Sequence, residues 1–355
     1  MKELRIAMVA PSLEFLGGQG MQANILAENL SKEDCTVEFI PINPIFPARL
    51  RWLRRLPYVR TILNEVLYLA KLTALGGVDV VHVFSASYWS FLLAPVPAMV
   101  LARLFRKRVI LNYHSGEAED HLKRWGIWVH PWLGLAHEIV VPSEYLRQIF
   151  EHHGYRVRVV PNIVDTSRFY YRERFVLRPR LVSTRNLELH YRIDNTLKAF
   201  ALVRAEYPEA TLSIAGYGTE EPRLRSLGES LGSRGICFLN SVEFNKMPDL
   251  LDEADIFVNA SVIDNQPVSI LEALAAGLPI VSTATGDIGS MLCDGKAGVI
   301  VPPDDPVALG KEIIGLLKNP DRALILTRHG RKEVEKYQWS AVRTQWESVY
   351  NGRSA

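Results

Sequence analysis

Ser261-Val262-Ile263-Asp264-Asn265-Gln266-Pro267-Val268-Ser269-Ile270-Leu271-Glu272-Ala273-Leu274-Ala275-Ala276-Gly277 is the stretch on which the reading of the chain turns. Pro267 suits a first helical position and Gly277 a helix end, so the pattern predicts a helix over about Pro267–Ala276 with Asp264 in the loop that feeds it. Glu272 is flanked by Leu271, Ala273, Leu274, Ala275 and Ala276, and a carboxylate in so apolar a helix is costly unless something binds it. The free amides at the helix start and the positive end of its dipole favour an anion. Phosphate on the amides and hydroxyls on the two acids would suit a sugar nucleotide. A buried helix whose glutamate points to a rim explains the same residues.

Outward from this stretch, short β-branched runs alternate with helical patterns: Leu181–Thr184, Thr211–Ala215, Ile236–Leu239, Ile256–Val258, Ile280–Ser282 and Val299–Val301. The first half does the same at Ile6–Val9, Thr36–Ile40, Val78–Val83, Val109–Leu111, Ile139–Val141 and Val157–Val160. Such alternation predicts βαβ units on parallel sheets, and hence an α/β chain of two doubly wound, Rossmann-like domains facing a cleft. The polar stretch Thr166–Arg180 predicts the linker, giving domains 1–165 and 166–338. Residues 339–355 would form a last helix, anchored by Trp339 and Trp346, that crosses back to the first domain.

Ligands of such sheets gather at the carboxyl ends of the strands. Arg185 stands there after Leu181–Thr184, where its fork suits a diphosphate; a surface salt bridge to Glu188 is equally open. Gly216-Tyr217-Gly218 permits close approach or a plain tight turn, and Thr285–Gly289 would close the anion cradle from beside Asp264. In the first half, Gly17, Gly18 and Gly20 precede a helix expected over about Met21–Leu30, and His114 closes the fourth strand, able to donate to a sugar hydroxyl or to bond backbone. The glycines do not form the G-x-G-x-x-G dinucleotide fingerprint.

The 355 residues, 48% apolar and 23% charged with a net charge of +2, describe a soluble globular chain with no global signal for nucleic acid. Cys35, Cys237 and Cys293 lack disulfide or metal spacing, and His121, His130 and His137 show no ligand pattern, so no metal is expected. With no signal-peptide core and no apolar run long enough to span a bilayer, the expected place is the cytoplasm. Arg49–Arg60 interleaves five arginines with Leu50, Trp52, Leu53, Leu56 and Tyr58 and contains no acid. That pattern suits the inner face of an anionic membrane, with Arg51, Trp52, Arg54 and Arg55 in contact, and equally a solvated basic loop or an acceptor-phosphate site.

Taken as a set, Gly17-Gly18, His114, Val160-Pro161-Asn162 with Asp165, Arg185, Gly216-x-Gly218, the acid pair, and Asp294-Gly295 before Val301-Pro302-Pro303 resemble the retaining glycosyltransferases of family 4, of GT-B architecture. The resemblance spans nearly the whole chain and is most specific over 261–303. It implies that Asp264 contacts the transferred sugar, Glu272 the nucleotide ribose, amides across Asn265–Ser269 the sugar and phosphate, and Arg185 the diphosphate. It also implies that Gly18 approaches the phosphate, Val242 lies against the base and His114 lies near the sugar. Three positions depart from the family pattern. The first acid is usually Glu and here is Asp264. The usual Lys after the arginine is replaced by His190 and Tyr191, leaving Arg192, or His190 in its stead, as the second diphosphate cation. The usual Glu after the later glycine turn falls near Ser290.

The expectation is therefore a hexosyltransferase that moves a sugar from a UDP- or GDP-type donor, with retention and without metal or other cofactor. The acceptor would be a hydroxyl of a lipid-linked or polysaccharide intermediate. The alternatives are a related phosphorylase, synthase or epimerase, and a catalytically silent scaffold at a membrane.

Overall fold

The computed structural model describes residues 4–12, 17–33, 35–232 and 234–352, without the side chains of Ala48, Arg51, Arg54 and Pro57. The chain divides into two compact units, Met1–Pro161 with Arg343–Ala355, and Asn162–Val342.

The first unit holds β1 (Leu4–Ala10), β2 (Cys35–Pro41), β3 (Val80–Ser85), β4 (Arg108–Tyr113), β5 (Glu138–Val141) and β6 (Arg158–Val159). They form one parallel sheet in the order β2-β1-β3-β4-β5-β6. The order reverses between β1 and β3, so the crevice of this unit opens at the carboxyl ends of those strands. The helix after β1 runs over Gly18–Ser31, three residues ahead of the expected Met21, because Gly17 already serves as its cap and accepts from the Met21 amide at 3.1 Å. The apolar run Ser90–Ala102 is broken at Ala94 into helices Trp89–Leu93 and Pro95–Leu104. No helix among the described residues is long and apolar enough to cross a membrane.

The last helix, Trp339–Asn351, packs into this first unit. The Tyr350 hydroxyl bonds His82 Nδ1 at 2.7 Å, with Trp346 beside the same ring at 5.2 Å between centroids. Arg108 donates to the Val349 carbonyl at 2.9 Å and Arg343 pairs with Glu33 at 2.7 Å.

The second unit holds β7 (Arg180–Ser183), β8 (Thr211–Ala215), β9 (Ile236–Asn240), β10 (Ile256–Asn259), β11 (Ile280–Thr283) and β12 (Val299–Val301). Their order is β12-β11-β10-β7-β8-β9, again all parallel. Apolar clusters cover both faces, one around Leu197, Phe200 and Ile313, the other around Phe257, Ile270 and Leu274. The unit begins at Asn162 and ends at Val342, each four residues away from the expected bounds of 166 and 338. The upstream shift has a visible cause: Asn162 and Val164 are buried and bonded here, Val164 donating to the Tyr337 carbonyl at 2.9 Å.

Candidate functional site

In the second unit the strand order reverses between β7 and β10, which pair through Leu181 with Ile256 and Val182 with Phe257. The loop after β7 carries Arg185 and the loop after β10 carries Asp264, so the reversal sets the two side by side. The Arg185 guanidinium donates to the Asp264 carboxylate, and its other terminal nitrogen donates to Ser269 Oγ at 2.9 Å. Its flat face lies on the Tyr191 ring, 4.2 Å from the centroid. Arg185 is 8% exposed, and its Nε has no acceptor among the described residues. The salt bridge to Glu188 does not form: Glu188 instead accepts from the Thr219 amide at 3.1 Å and from its hydroxyl at 2.6 Å.

Two glycine turns support this arrangement. A Cβ on Gly216 would come within 2.2 Å of the Arg185 carbonyl oxygen, and one on Gly218 within 2.2 Å of that of Leu187. The close approach that those glycines allow is therefore made by the arginine's own loop. Gly286, at φ +61, lies equally close under Asp264, where a Cβ would stand 2.4 Å from the carbonyl oxygen. The Asp287 amide donates to the Asn265 carbonyl at 2.8 Å, so the 285–289 turn braces the Asp264 loop.

The helix runs over Val268–Ala275, with Pro267 as its cap residue rather than its expected first helical residue. The amides of Val268 and Ser269 thus open the helix without intrahelical acceptors. Its far end is tied down by the buried Arg174, which donates to the carbonyls of Ala276 at 3.1 Å and Gly277 at 2.8 Å. Glu272 is buried, and among the described residues its carboxylate has no hydrogen-bond partner. Burial pushes it up to about 7, opposed by the positive charge of Arg168. Arg168 is fixed over the Phe244 ring, 3.2 Å from the centroid, and donates to the Phe244 carbonyl at 2.5 Å. Val242, half-buried, lies two residues before that phenylalanine.

Two candidate donor-binding side chains are occupied elsewhere. Gln266 faces inward: its Oε1 accepts from the Asn162 amide at 2.7 Å, its carbonyl accepts from Asn162 Nδ2 at 2.7 Å, and its Nε2 donates to Asp287 at 3.0 Å. It fastens the loop. Arg192, at φ +50, donates through Nε to Asp304 at 2.6 Å, so a neighbouring carboxylate holds the charge expected for the diphosphate. His190 accepts the Val262 amide on its carbonyl at 2.9 Å and packs on Tyr191. Sequence reasoning missed the roles of Tyr191, Arg168 and Asn162. Tyr191 and Asn162 lay inside the quoted motifs, but nothing in the residue string says what they touch.

In the first unit, Gly17 and Gly18 open the helix after β1, and His114 follows β4 with its ring stacked on Phe84 at 5.2 Å. Burial lowers His114 to about 3, which keeps it neutral at physiological pH. Trp52 and Arg55 are exposed, whereas the side chains of Arg51 and Arg54 lie outside the described residues. Among the described residues no three His, Cys, Asp or Glu side chains are placed to hold a metal ion.

Residues 14–168 match the family described as "Glycosyltransferase Family 4", and residues 178–319 match "Glycosyl transferases group 1". The chain is 26% identical over 291 residues to a glycogen synthase of Mycobacterium tuberculosis, covering 77% of this chain and 68% of that protein. It is 26% identical over 283 residues to a phosphatidyl-myo-inositol mannosyltransferase of Mycobacterium leprae, covering 78% and 74%. Among solved structures, Anabaena Alr3699/HepE in complex with UDP-glucose superposes with a TM-score of 0.77 at 14% identity, covering 99% of this chain and all of that one. A sucrose-phosphate synthase from Thermosynechococcus elongatus gives 0.76 at 18% identity, covering 99% of each. With both family matches in sequence and two parallel six-stranded sheets in structure, the chain belongs to the family 4 glycosyltransferases of GT-B fold.

Proposed function

We propose that the enzyme transfers a hexose-type sugar from a UDP- or GDP-sugar to an acceptor hydroxyl, with retention and without a metal. The observation that carries this reading is the constellation at the mouth of helix Val268–Ala275: a buried guanidinium with one nitrogen unspent, two open amides, and carboxylates at Asp264 and Glu272 on either side. Arg185 and the amides take the diphosphate, Glu272 the ribose hydroxyls and Asp264 the hydroxyls of the transferred sugar. Charge grows on the leaving diphosphate as the anomeric C–O bond breaks, and fixed donors already aimed there stabilise it without reorganising. The acceptor oxygen bonds to the anomeric carbon on the face the diphosphate leaves, and its proton passes to the departing phosphate. Val242 serves the base. The names glycogen synthase and phosphatidyl-myo-inositol mannosyltransferase among the relatives, and the UDP-glucose complex of Alr3699/HepE, support a lipid-linked or polysaccharide acceptor.

The same reading places the protein in the cytoplasm at an anionic membrane. Helix Pro57–Lys71 exposes Tyr58 (86%), Ile62 (67%) and Val66 (57%) at helical spacing, and Trp52 and Arg55 just before it in sequence are exposed as well. Sedimentation with anionic vesicles, lost in high salt and on neutralising Arg51, Arg54 and Arg55, is the expected result; binding that ignores salt removes the idea.

The central test is a thermal-shift screen over UDP, GDP and their sugars, followed by transfer assays. A ligand bound by the native state raises its melting temperature by mass action. Asp264→Asn and Glu272→Ala should abolish turnover in a folded protein. Full transfer by both variants refutes the site, and turnover by neither wild type nor variant despite nucleotide binding favours a silent scaffold.

A further inference from the structure

Tyr88 follows β3 and holds φ 56 and ψ −132, a backbone region that a residue with a side chain rarely occupies and that collects at functional sites. The conformation delivers its hydroxyl to Asp120, to which it donates at 2.8 Å. The other oxygen of Asp120 meets Arg124 Nε at 2.8 Å, and the carboxylate remains 41% exposed. Each oxygen keeps accepting capacity for a further donor. Beside this polar group stands an aromatic wall. Trp125 meets Tyr88 at 5.6 Å and Trp89 at 5.3 Å, both edge to face, and Trp89 leaves 65% of its surface in solvent.

The floor is rigid. Ser87 Oγ bonds the Tyr113 hydroxyl at 2.9 Å, and that hydroxyl bonds His121 Nδ1 at 2.8 Å, all buried. Exposed indole, fixed hydroxyl and open carboxylate thus sit together on one loop cluster after β3 and β4, and β3 flanks the point at which the sheet order of this unit reverses. A pyranose has the matching chemistry: an apolar C–H face to lie on an aromatic ring and a rim of hydroxyls to donate to a carboxylate. A purely lipid ligand would leave Asp120 and the Tyr88 hydroxyl unused.

We infer that Trp89, Tyr88 and Asp120 form a saccharide subsite of the first unit, which seats a sugar ring of the acceptor. The inference rests on the transfer reading above and narrows the acceptor to a compound that already carries a sugar at this position.

Saturation-transfer NMR with methyl α-D-glucopyranoside, methyl α-D-mannopyranoside and maltotriose tests it, with UDP and GDP thermal shifts run on the same samples. At least one saccharide should show transfer to its ring C–H protons in the wild type. Trp89→Ala should weaken that binding by about tenfold or more, Trp89→Phe should restore most of it, and Asp120→Asn and Tyr88→Phe should each reduce it. The nucleotide shifts should stay unchanged in all four. Unaltered saccharide signals in Trp89→Ala, or no signal from any of the three sugars while a nucleotide still binds, overturn the subsite and leave the transfer reading standing. Loss of anionic-vesicle binding in Trp89→Ala with saccharide binding intact assigns the patch to the bilayer and likewise overturns it. Absence of nucleotide binding with saccharide binding present strikes the transfer reading instead.

Discussion

Replacing Glu272 by glutamine should make the ligand-free enzyme more stable at pH 8. The reason is the carboxylate's position: it is buried in an apolar helix, among the described residues has no hydrogen-bond partner, and is pushed from an ordinary 4.5 up to about 7. A folded-state value above the unfolded one means that the folded protein holds the proton more tightly, so stability falls as pH rises from about 4.5 through about 7. At about 1.4 kcal/mol per pH unit, the gap between those values corresponds to about 3 kcal/mol lost once Glu272 is ionised. Glutamine keeps the shape and carries no charge, so Glu272→Gln should recover most of that above pH 8 and almost none at pH 5. For a unit of this size the recovery is several degrees in melting temperature. Thermal unfolding of both proteins across pH 5–9 without nucleotide is the assay. A pH-independent difference, or a variant less stable at pH 8, refutes the argument that desolvation governs this group. The same carboxylate should weaken nucleotide binding of the wild type by up to about tenfold for each pH unit below 7, because ribose hydroxyls donate to the ionised form.

Arg185→Lys should lower turnover by about a hundredfold or more, since an ammonium cannot hold Asp264 and Ser269 as a planar fork does; activity within threefold of wild type in steady-state transfer assays argues against the diphosphate role. Gly216→Ala places a methyl 2.2 Å from the Arg185 carbonyl oxygen, so the loop must shift. Destabilisation of about 1–3 kcal/mol should accompany loss of the nucleotide thermal shift, and a variant that binds UDP or GDP normally would contradict it. Gln266→Ala should cost about 1–3 kcal/mol by denaturant unfolding, because the buried Asn162 amide loses its acceptor. Gln266→Glu should cost more at pH 8 than at pH 5, because the new carboxylate faces Asp287; equal losses at both would refute the pairing.

The alternation of β-branched runs made every strand among the described residues legible to within two residues of its ends, because a buried parallel strand is a short apolar run wherever it lies in the order. The order itself was not legible. Only the sheet shows that β7 neighbours β10, and that adjacency is what joins Arg185 to Asp264 across a long separation in sequence. The cost of burying Glu272 could be read from its alanine and leucine neighbours, because desolvation depends on composition near the group. The partners of Gln266 and Arg192 could not, since an amide or guanidinium bonds whatever the tertiary fold brings within reach, here Asn162 with Asp287 and Asp304. Tyr191 had already stood out as a departure from the family pattern; its stacking on Arg185 gives that departure a physical use.

The seating of Tyr350 and Trp346 against His82 bears on how the polypeptide acquires its shape during synthesis. The first sheet emerges from the ribosome long before the helix that seals one side of it, so its interior stays unfinished until residues 339–351 are translated. Nascent chains stalled upstream of position 339 should therefore remain protease-sensitive at the amino-terminal half, and a fragment ending at Pro161 is a poor choice for expression on its own.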